Sequence, residues 1–167
     1  MLGTPPIEVT QLIERRRALG LDLFDELWEG DYHMVPAPHP HHAYLDQQMA
    51  VLLDPLARTA GLIVTGPFNL GDKDDFRVPD RGIHQGMPST TWLPTATMVI
   101  EIVSPDDETY EKLPFYARHH VQEVLIVDGS SRTVAVLALR DGAYAPSPTS
   151  DVIGLSAEEL TAAIDWP

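Results

Sequence analysis

The sequence predicts an α/β domain, and three observations lead to that prediction. Segments with helical spacing and segments with strand spacing alternate along all 167 residues, as they do where helices pack on a β-sheet. The composition, 44% hydrophobic and 22% charged, supplies enough apolar material for one core. No internal repeat or long linker interrupts the chain. We therefore expect residues 1–167 to form a single domain.

The N-terminal part is predicted to contain two helices and a hairpin. Apolar residues at helical spacing predict a helix over Ile7–Leu19. The stretch Phe24–Val35 has the pattern of a hairpin that turns at Glu29–Asp31. A loop rich in proline and histidine, Pro36–His42, leads into a second helix that ends near Thr59, with leucine and methionine side chains on one stripe.

The remainder of the chain is predicted to be mainly β-strand. The predicted strands are Leu62–Val64, Phe76–Ile83, Met98–Val103, Val124–Asp128 and Thr133–Leu139, and the predicted helices are Glu108–His119 and Leu155–Trp166. The acidic segment Gly71–Asp75 is expected to be a hairpin turn. Ser156 and Glu159 have the spacing of a capping box at the start of the last helix.

A single carboxylate interrupts the most apolar strand. Met98–Val103 has the composition of a strand buried on both faces, except for Glu101. Burying an unpaired carboxylate is costly, so Glu101 either meets an arginine at a sheet end or binds a metal ion. Asp80 ends the preceding predicted strand, 21 residues earlier, and adjacent strands could bring the two acids together. Carboxylate oxygens suit Mg²⁺ or Mn²⁺.

Lysine is rare in this chain, which contains only Lys73 and Lys112 against nine arginines. Lys73 lies in the acidic turn and is expected to be solvated. Lys112 follows Glu101 by 11 residues, one turn into the next predicted helix, and could point back toward the end of that strand. There it would orient a water or stabilise negative charge on a phosphoryl group. The alternative is a surface lysine paired with a carboxylate.

Several short motifs resemble, in their order and spacing, the Uma-type restriction endonuclease family of the PD-(D/E)xK nuclease superfamily. They are Val78-Pro79-Asp80, Val99-Ile100-Glu101-Ile102-Val103-Ser104-Pro105, Lys112-Leu113-Pro114-Phe115-Tyr116 and Val121–Asp128. Glu26–Gly30 and His42, which starts a helix after a proline-rich loop, are similar as well. The resemblance covers about residues 22–140. It implies a restriction-endonuclease-like fold, a mixed central β-sheet flanked by helices.

The resemblance also implies a set of site residues. Asp80, Glu101 and the backbone carbonyl of Ile102 would bind a divalent metal ion, Mg²⁺ or Mn²⁺. Lys112 would be the catalytic lysine, and Glu26 would contribute an additional acid near the metal.

One departure from the standard motif concerns the lysine, which in most of the superfamily lies two residues after the glutamate. Val103 occupies that position here, and Lys112 matches a lysine that has migrated to the following helix. Arg81 and Gly82 also stand where such sequences usually continue with apolar residues. His42 would be a nearby polar residue without an assigned role.

The function expected from the resemblance is metal-dependent hydrolysis of DNA phosphodiester bonds by a homodimer. The charge balance opposes it, since 25 acidic residues against 11 basic ones give a net charge of −14, and nucleic-acid binders usually carry a basic surface. The alternative is a catalytically silent module with a nuclease fold, used for binding or assembly. A third possibility is a hydrolase of small phosphate-containing substrates.

The expected location is the cytoplasm, without a membrane anchor. No apolar run approaches the ~18 residues of a spanning helix, and the first residues lack the pattern of a signal peptide. The absence of cysteine excludes disulfides and cysteine nucleophiles. The histidines His39, His41 and His42 lack the ligand spacing of a zinc site.

Overall fold

The computed structural model describes residues 7–104 and 108–167. Within these ranges the elements are α1 (Ile7–Ala18), β1 (Glu26–Trp28), β2 (Asp31–His33), α2 (Pro40–Thr59), β3 (Ile63–Thr65), β4 (Asn69–Asp72), β5 (Asp75–Arg77), β6 (Arg81–His84), β7 (Trp92–Leu93), β8 (Met98–Val103), a 3₁₀ helix (Thr109–Lys112), α3 (Leu113–Arg118), β9 (Glu123–Asp128), β10 (Thr133–Arg140), β11 (Ala143–Ser147) and α4 (Ala157–Ala163).

A six-stranded mixed sheet forms the centre of the fold. Its strand order is β11-β10-β9-β8-β6-β3. The strands β8 and β9 run parallel, and every other neighbouring pair in this sheet is antiparallel. Five of the six residues of β8 are buried, and so are five of the six residues of β9. This burial confirms the prediction that Met98–Val103 is covered on both faces.

The two faces of the central sheet have separate cores. On one face, Leu45, Met49 and Leu53 of α2 pack with Ile100 and Ile102 of β8. Leu160 of α4 belongs to the same cluster, and α4 begins with the predicted capping box of Ser156 and Glu159. Because side chains alternate along a strand, the other residues of β8 face the opposite way.

The second core lies between the opposite face of the central sheet, α3 and a smaller sheet. Val99, Phe115 and Tyr116 belong to it, together with Leu70 of β4. The smaller sheet has the order β2-β1-β5-β4-β7 and is antiparallel except for the pair β4 and β7. By alternation, Glu101 projects toward this side of β8.

The prediction of one continuous strand over Phe76–Ile83 is wrong. The segment ends β5 in the smaller sheet at Arg77 and enters the central sheet as β6 at Arg81. Pro79 lacks a backbone N–H and therefore cannot continue a strand ladder. As a result Asp80 lies immediately before β6, rather than at the end of a strand.

Other elements also differ from the predictions. The predicted helix over Glu108–His119 consists of the 3₁₀ helix followed by α3, with Pro114 in the first turn of α3, where proline is tolerated. The strands β4, β7 and β11 were not predicted. They are short or contain proline, so they carry little periodic signal. The expected turn at Gly71–Asp75 does join two strands, β4 and β5.

The first helix makes few contacts with the remainder of the fold. None of the residues of α1 is buried. Its position is fixed by Arg16, whose Nε and Nη2 donate to the Asp25 carboxylate at 2.7 Å. No helix within residues 7–104 and 108–167 is long and apolar enough to cross a membrane.

Candidate active site

A cleft of about 630 Å³ lies between the two sheets and the start of α2. Among the residues that the structure describes, the cleft lining includes the four candidate side chains predicted from the sequence, Glu26, Asp80, Glu101 and Lys112. It also includes Ile102 and His42. Residues that are far apart in the sequence are therefore brought to one place. Lys73, the other lysine, is exposed in the β4–β5 turn and pairs with Asp74 at 2.6 Å.

Lys112 lies between two buried carboxylates. Its Nζ is 3.0 Å from Glu26 Oε1 and 3.5 Å from Glu101 Oε1. The lysine side chain is 13% exposed, whereas those of Glu26 and Glu101 are 3% and 4% exposed. The residue that pairs with the buried Glu101 is therefore this lysine, and not the arginine that the first alternative required.

Glu26 is held by donors from its own hairpin and from the crossover between the sheets. The Val78 N–H donates to Glu26 Oε1 at 2.7 Å, and the indole Nε1–H of Trp28 donates to Oε2 at 2.6 Å. Both carboxylate oxygens thus have partners in addition to Lys112. These fixed donors satisfy a buried carboxylate, which would otherwise be costly.

A stacked arginine supports the Trp28 ring. The Arg77 guanidinium lies 4.4 Å from the Trp28 ring centroid and 4.1 Å from that of Phe115. Its Nη1 donates to the Leu27 carbonyl at 3.0 Å and to Asp75 Oδ1 at 2.9 Å. Arginine is suited to such a position because its planar guanidinium stacks on aromatic faces while it donates hydrogen bonds. This stack connects β1 and β5 with α3.

Asp80 is positioned by the neighbouring strand and by α2. Its Oδ2 accepts a hydrogen bond from the Ile102 N–H at 2.8 Å. Its Oδ1 lies 3.2 Å from Nε2 of His42, which is in the first turns of α2. His42, to which the sequence assigned no role, therefore contacts one of the candidate metal ligands.

Arg81 and Gly82, two of the departures from the family pattern, have structural explanations. Arg81 Nη2 donates to Asp46 Oδ2 at 2.8 Å and its Nε donates to the Asp46 carbonyl at 3.0 Å, which ties β6 to α2 one turn beyond His42. A Cβ at Gly82 would lie 2.4 Å from the Phe68 ring. That position therefore has no room for a larger side chain.

Tyr116 is a site residue that the sequence analysis missed. Its hydroxyl donates to Glu101 Oε1, and its side chain is fully buried. Tyr116 follows Lys112 by four residues, and residues at this spacing share one face of a helix. That spacing would have placed Tyr116 on the same face as Lys112, but not against Glu101.

The burial of the cluster shifts its protonation equilibria. Burial, together with the charge of Asp80, raises the pKa of Glu101 to about 8. The charge of Lys112 lowers this pKa, but by less than burial raises it. Burial alone would lower the pKa of Lys112, but the charges of Glu101 and Glu26 raise it above its ordinary value. Lys112 is therefore a permanent cation at neutral pH. Burial and the Glu101 charge likewise raise the pKa of the Tyr116 hydroxyl.

The donor set at this site fits an oxygen-seeking divalent cation in its chemistry. Glu26 and Glu101 contact one ammonium group and Asp80 lines the same cleft, so the fully ionised cluster has excess negative charge. Within residues 7–104 and 108–167, however, no group of three or more histidine, aspartate or glutamate side chains is arranged to hold a metal ion. The protein side chains alone would thus supply part of a coordination shell, and water and substrate oxygens commonly complete such shells for Mg²⁺.

Comparison with known proteins agrees with the resemblance seen in the sequence. The family model described as "Uma2: Putative restriction endonuclease" matches residues 21–165. The chain belongs to this family. The match extends beyond the resemblance seen in the sequence, which ends near residue 140, and includes β11 and α4. No curated protein sequence matches the chain.

A solved structure supports the fold assignment. The crystal structure of a protein from Anabaena variabilis, described as "a putative nuclease belonging to DUF820", has a TM-score of 0.68 to this chain at 17% sequence identity. The match covers 83% of this chain and 90% of that chain. At this identity the similarity shows the fold alone, and it confirms the predicted nuclease-like mixed sheet flanked by helices.

The raised pKa of Glu101 predicts a pH dependence of stability in the absence of divalent cations. Because the folded state binds this proton more tightly than the unfolded chain, Glu101 makes folding less favourable as pH rises from its ordinary pKa of 4.5 through about 8. Glu101→Gln removes that contribution. In urea unfolding with EDTA, the free energy of unfolding of the variant minus that of wild type should therefore increase as pH rises from 5 to 8.

Glu159→Gln provides the control for this experiment. Hydrogen bonds from Ser156 lower the pKa of Glu159. The contribution of Glu159 to folding stability is therefore complete above its ordinary pKa and is lost only as pH falls through the lowered pKa. Its stability difference from wild type should be constant over pH 5 to 8. A constant difference for Glu101→Gln as well would show that Glu101 is ionised throughout that range.

Proposed function

We propose that this protein is a metal-dependent endonuclease that hydrolyses DNA phosphodiester bonds. The observation that carries the proposal is the cleft that Glu26, Asp80, Glu101 and Lys112 line together, in which the Lys112 ammonium contacts Glu26 and Glu101. Membership of a family described as restriction endonucleases supports the same reaction class. A perturbed, buried group of charges in a cleft is typical of a catalytic centre, because stability alone is poorly served by burying charges.

The residues proposed to hold the metal ion are Asp80, Glu101 and the backbone carbonyl of Ile102. All three residues line the cleft. A bound Mg²⁺ or Mn²⁺ would supply positive charge against a phosphate and increase the acidity of water. Asp80 and Glu101 orient their oxygens through bonds to the protein, since Asp80 accepts from the Ile102 N–H and Glu101 accepts from Tyr116.

Lys112 is proposed to stabilise negative charge on the phosphoryl group. A lysine with a raised pKa cannot accept a proton at neutral pH, so the general-base role does not suit it. Its ammonium can instead donate hydrogen bonds to phosphate oxygens as negative charge develops there. Glu26 is the additional acid near the metal, and its contact with Lys112 keeps the ammonium directed into the cleft.

Two other functions compete with this proposal because of the net charge of −14. A catalytically silent binding or assembly module would retain the fold and need no phosphate contacts. A hydrolase of small phosphate-containing molecules would face less electrostatic repulsion than a DNA nuclease. Turnover of nucleotides and model phosphodiesters, without cleavage of DNA, would favour the second of these.

Metal binding is expected to depend on the two proposed ligands. Calorimetric titration of Mn²⁺ into wild type should give saturable binding, and Asp80→Asn or Glu101→Gln should weaken it by about tenfold or more, since each removes one anionic ligand. Asp74→Asn is the control, because Asp74 is 76% exposed in the β4–β5 turn. Equal binding by all four proteins would contradict the assignment.

Cleavage is expected to depend on Lys112 and not on the other lysine. With Mg²⁺ or Mn²⁺ and DNA, Lys112→Ala should lower the rate by about 10²–10³-fold, the usual effect of removing a group that stabilises transition-state charge. Lys73→Ala should retain the wild-type rate, since that side chain is 74% exposed and lies outside the cleft lining. If supercoiled, linear and single-stranded DNA all stay intact in wild type, the proposed reaction is wrong.

We also propose that the protein acts as a homodimer, because a two-fold symmetric pair is the commonest assembly among soluble oligomeric proteins. Multi-angle light scattering should then give twice the chain mass of 18.5 kDa. A single species at 18.5 kDa would contradict the dimer without bearing on the reaction.

A further inference from the structure

We infer that the cleft binds an unpaired nucleotide of single-stranded DNA, in preference to a base-paired duplex. The inference rests on the proposed function, because it specifies the form of DNA presented to the same centre. Three observations carry it: an apolar wall beside the acidic centre, the scarcity of cations around the cleft, and the size of the cleft.

One wall of the cleft is apolar and accessible. Phe24, Met34 and Val35 line it and are 37%, 43% and 38% exposed. Pro36 and Pro38 continue the same wall. Exposed apolar surface next to a charged centre indicates a binding surface, because a soluble protein otherwise keeps such patches small. An unpaired base presents an apolar face that can pack on a wall of this kind, whereas a base pair within a duplex keeps its faces stacked.

The wall is held in place by a buried carboxylate. Asp25, which is 2% exposed, accepts hydrogen bonds from the Val35 N–H at 2.9 Å and from the Tyr32 hydroxyl at 2.8 Å. The Arg16 guanidinium donates to both oxygens of the same carboxylate. The segment is therefore positioned before a ligand arrives, which reduces the entropy that binding must overcome.

Cations are scarce around the cleft. Among its described lining residues, Lys112 is the sole lysine or arginine, against five carboxylates. The longest basic run in the chain, Arg15–Arg17, lies on α1 and outside that lining, and Arg16 is committed to Asp25. Duplex binding normally requires several basic residues to neutralise phosphates on two strands. One strand presents fewer phosphates to this acidic surface.

The size of the cleft suits one nucleotide. Its volume of about 630 Å³ is within the ~300–1,000 Å³ range of pockets that enclose a single small ligand. A phosphate at the acidic centre, with the attached base against Met34 and Val35, would use two chemically different parts of the lining of the same cleft. The site thus has separate surfaces for the phosphate and the base of an unpaired nucleotide.

The test compares binding of one labelled oligonucleotide in two forms, single-stranded and annealed to its complement. Fluorescence anisotropy with Ca²⁺ in place of Mg²⁺ measures affinity without requiring turnover. Single-stranded DNA should bind at least about tenfold more tightly than duplex, because base packing is available to one form alone. Equal affinity, tighter duplex binding, or no binding of either form would overturn the inference.

Two methionine variants locate the base surface. Met34→Ala should raise the Kd for single-stranded DNA by about threefold or more, whereas Met87→Ala, in which the methionine is 71% exposed and outside the cleft lining, should leave it unchanged. Phe24→Ala offers a second variant of the same wall. Wild-type affinity in both wall variants would overturn the inference.

The outcome is distinguishable from failure of the proposed function. If single-stranded DNA binds preferentially but is not cleaved in Mg²⁺ or Mn²⁺, the reaction is wrong and the ligand assignment holds. If duplex is cleaved and bound preferentially, the reaction holds and the inference about an unpaired nucleotide is wrong.

Discussion

The contact of the Lys112 ammonium with Glu26 and Glu101 is the interaction on which the arrangement of this site depends. Glu26 comes from the smaller sheet, Glu101 from the central sheet and Lys112 from the 3₁₀ helix. A buried charge without a partner is strongly destabilising, so these elements must meet for any of the three side chains to be tolerated. These three elements therefore meet at the contact that forms the site.

The crossover between the two sheets gives this contact its geometry. Between Arg77 and Arg81 the chain leaves one sheet and enters the other, and Pro79 prevents a continuous strand. The Val78 N–H lies outside both strands and donates to Glu26. The Asp80 side chain accepts from the Ile102 N–H, taking the place of a backbone acceptor from a neighbouring strand. An interruption in the β-structure thus supplies both a donor to one acid and a second acid beside Glu101.

This cluster is a poor contributor to stability, which is consistent with a functional role. Burial raises the pKa of Glu101 to about 8, so near neutral pH the fold bears the cost of holding a carboxyl group where its ionised form is disfavoured. Well-packed apolar side chains of similar volume would often be at least as stable. The surrounding supports, Tyr116 on Glu101 and Trp28 on Glu26, maintain charges that the core itself does not need.

Sequence alone determined the burial pattern and the identity of the candidate acids. The continuous apolar run of β8 identified Glu101 as an exception, and the rarity of lysine drew attention to Lys112, because both signals are local. Tertiary structure decided which partners they have. Periodicity shows that a side chain is buried but not which element covers it. It therefore does not predict three features of this structure: the hydrogen bond from Tyr116 to Glu101, the contact of His42 with Asp80 and the division of Phe76–Ile83 between two sheets. These features depend on segments that meet only when the two sheets assemble. Their physical cause is the pairing of strands and charged side chains that are far apart in the sequence.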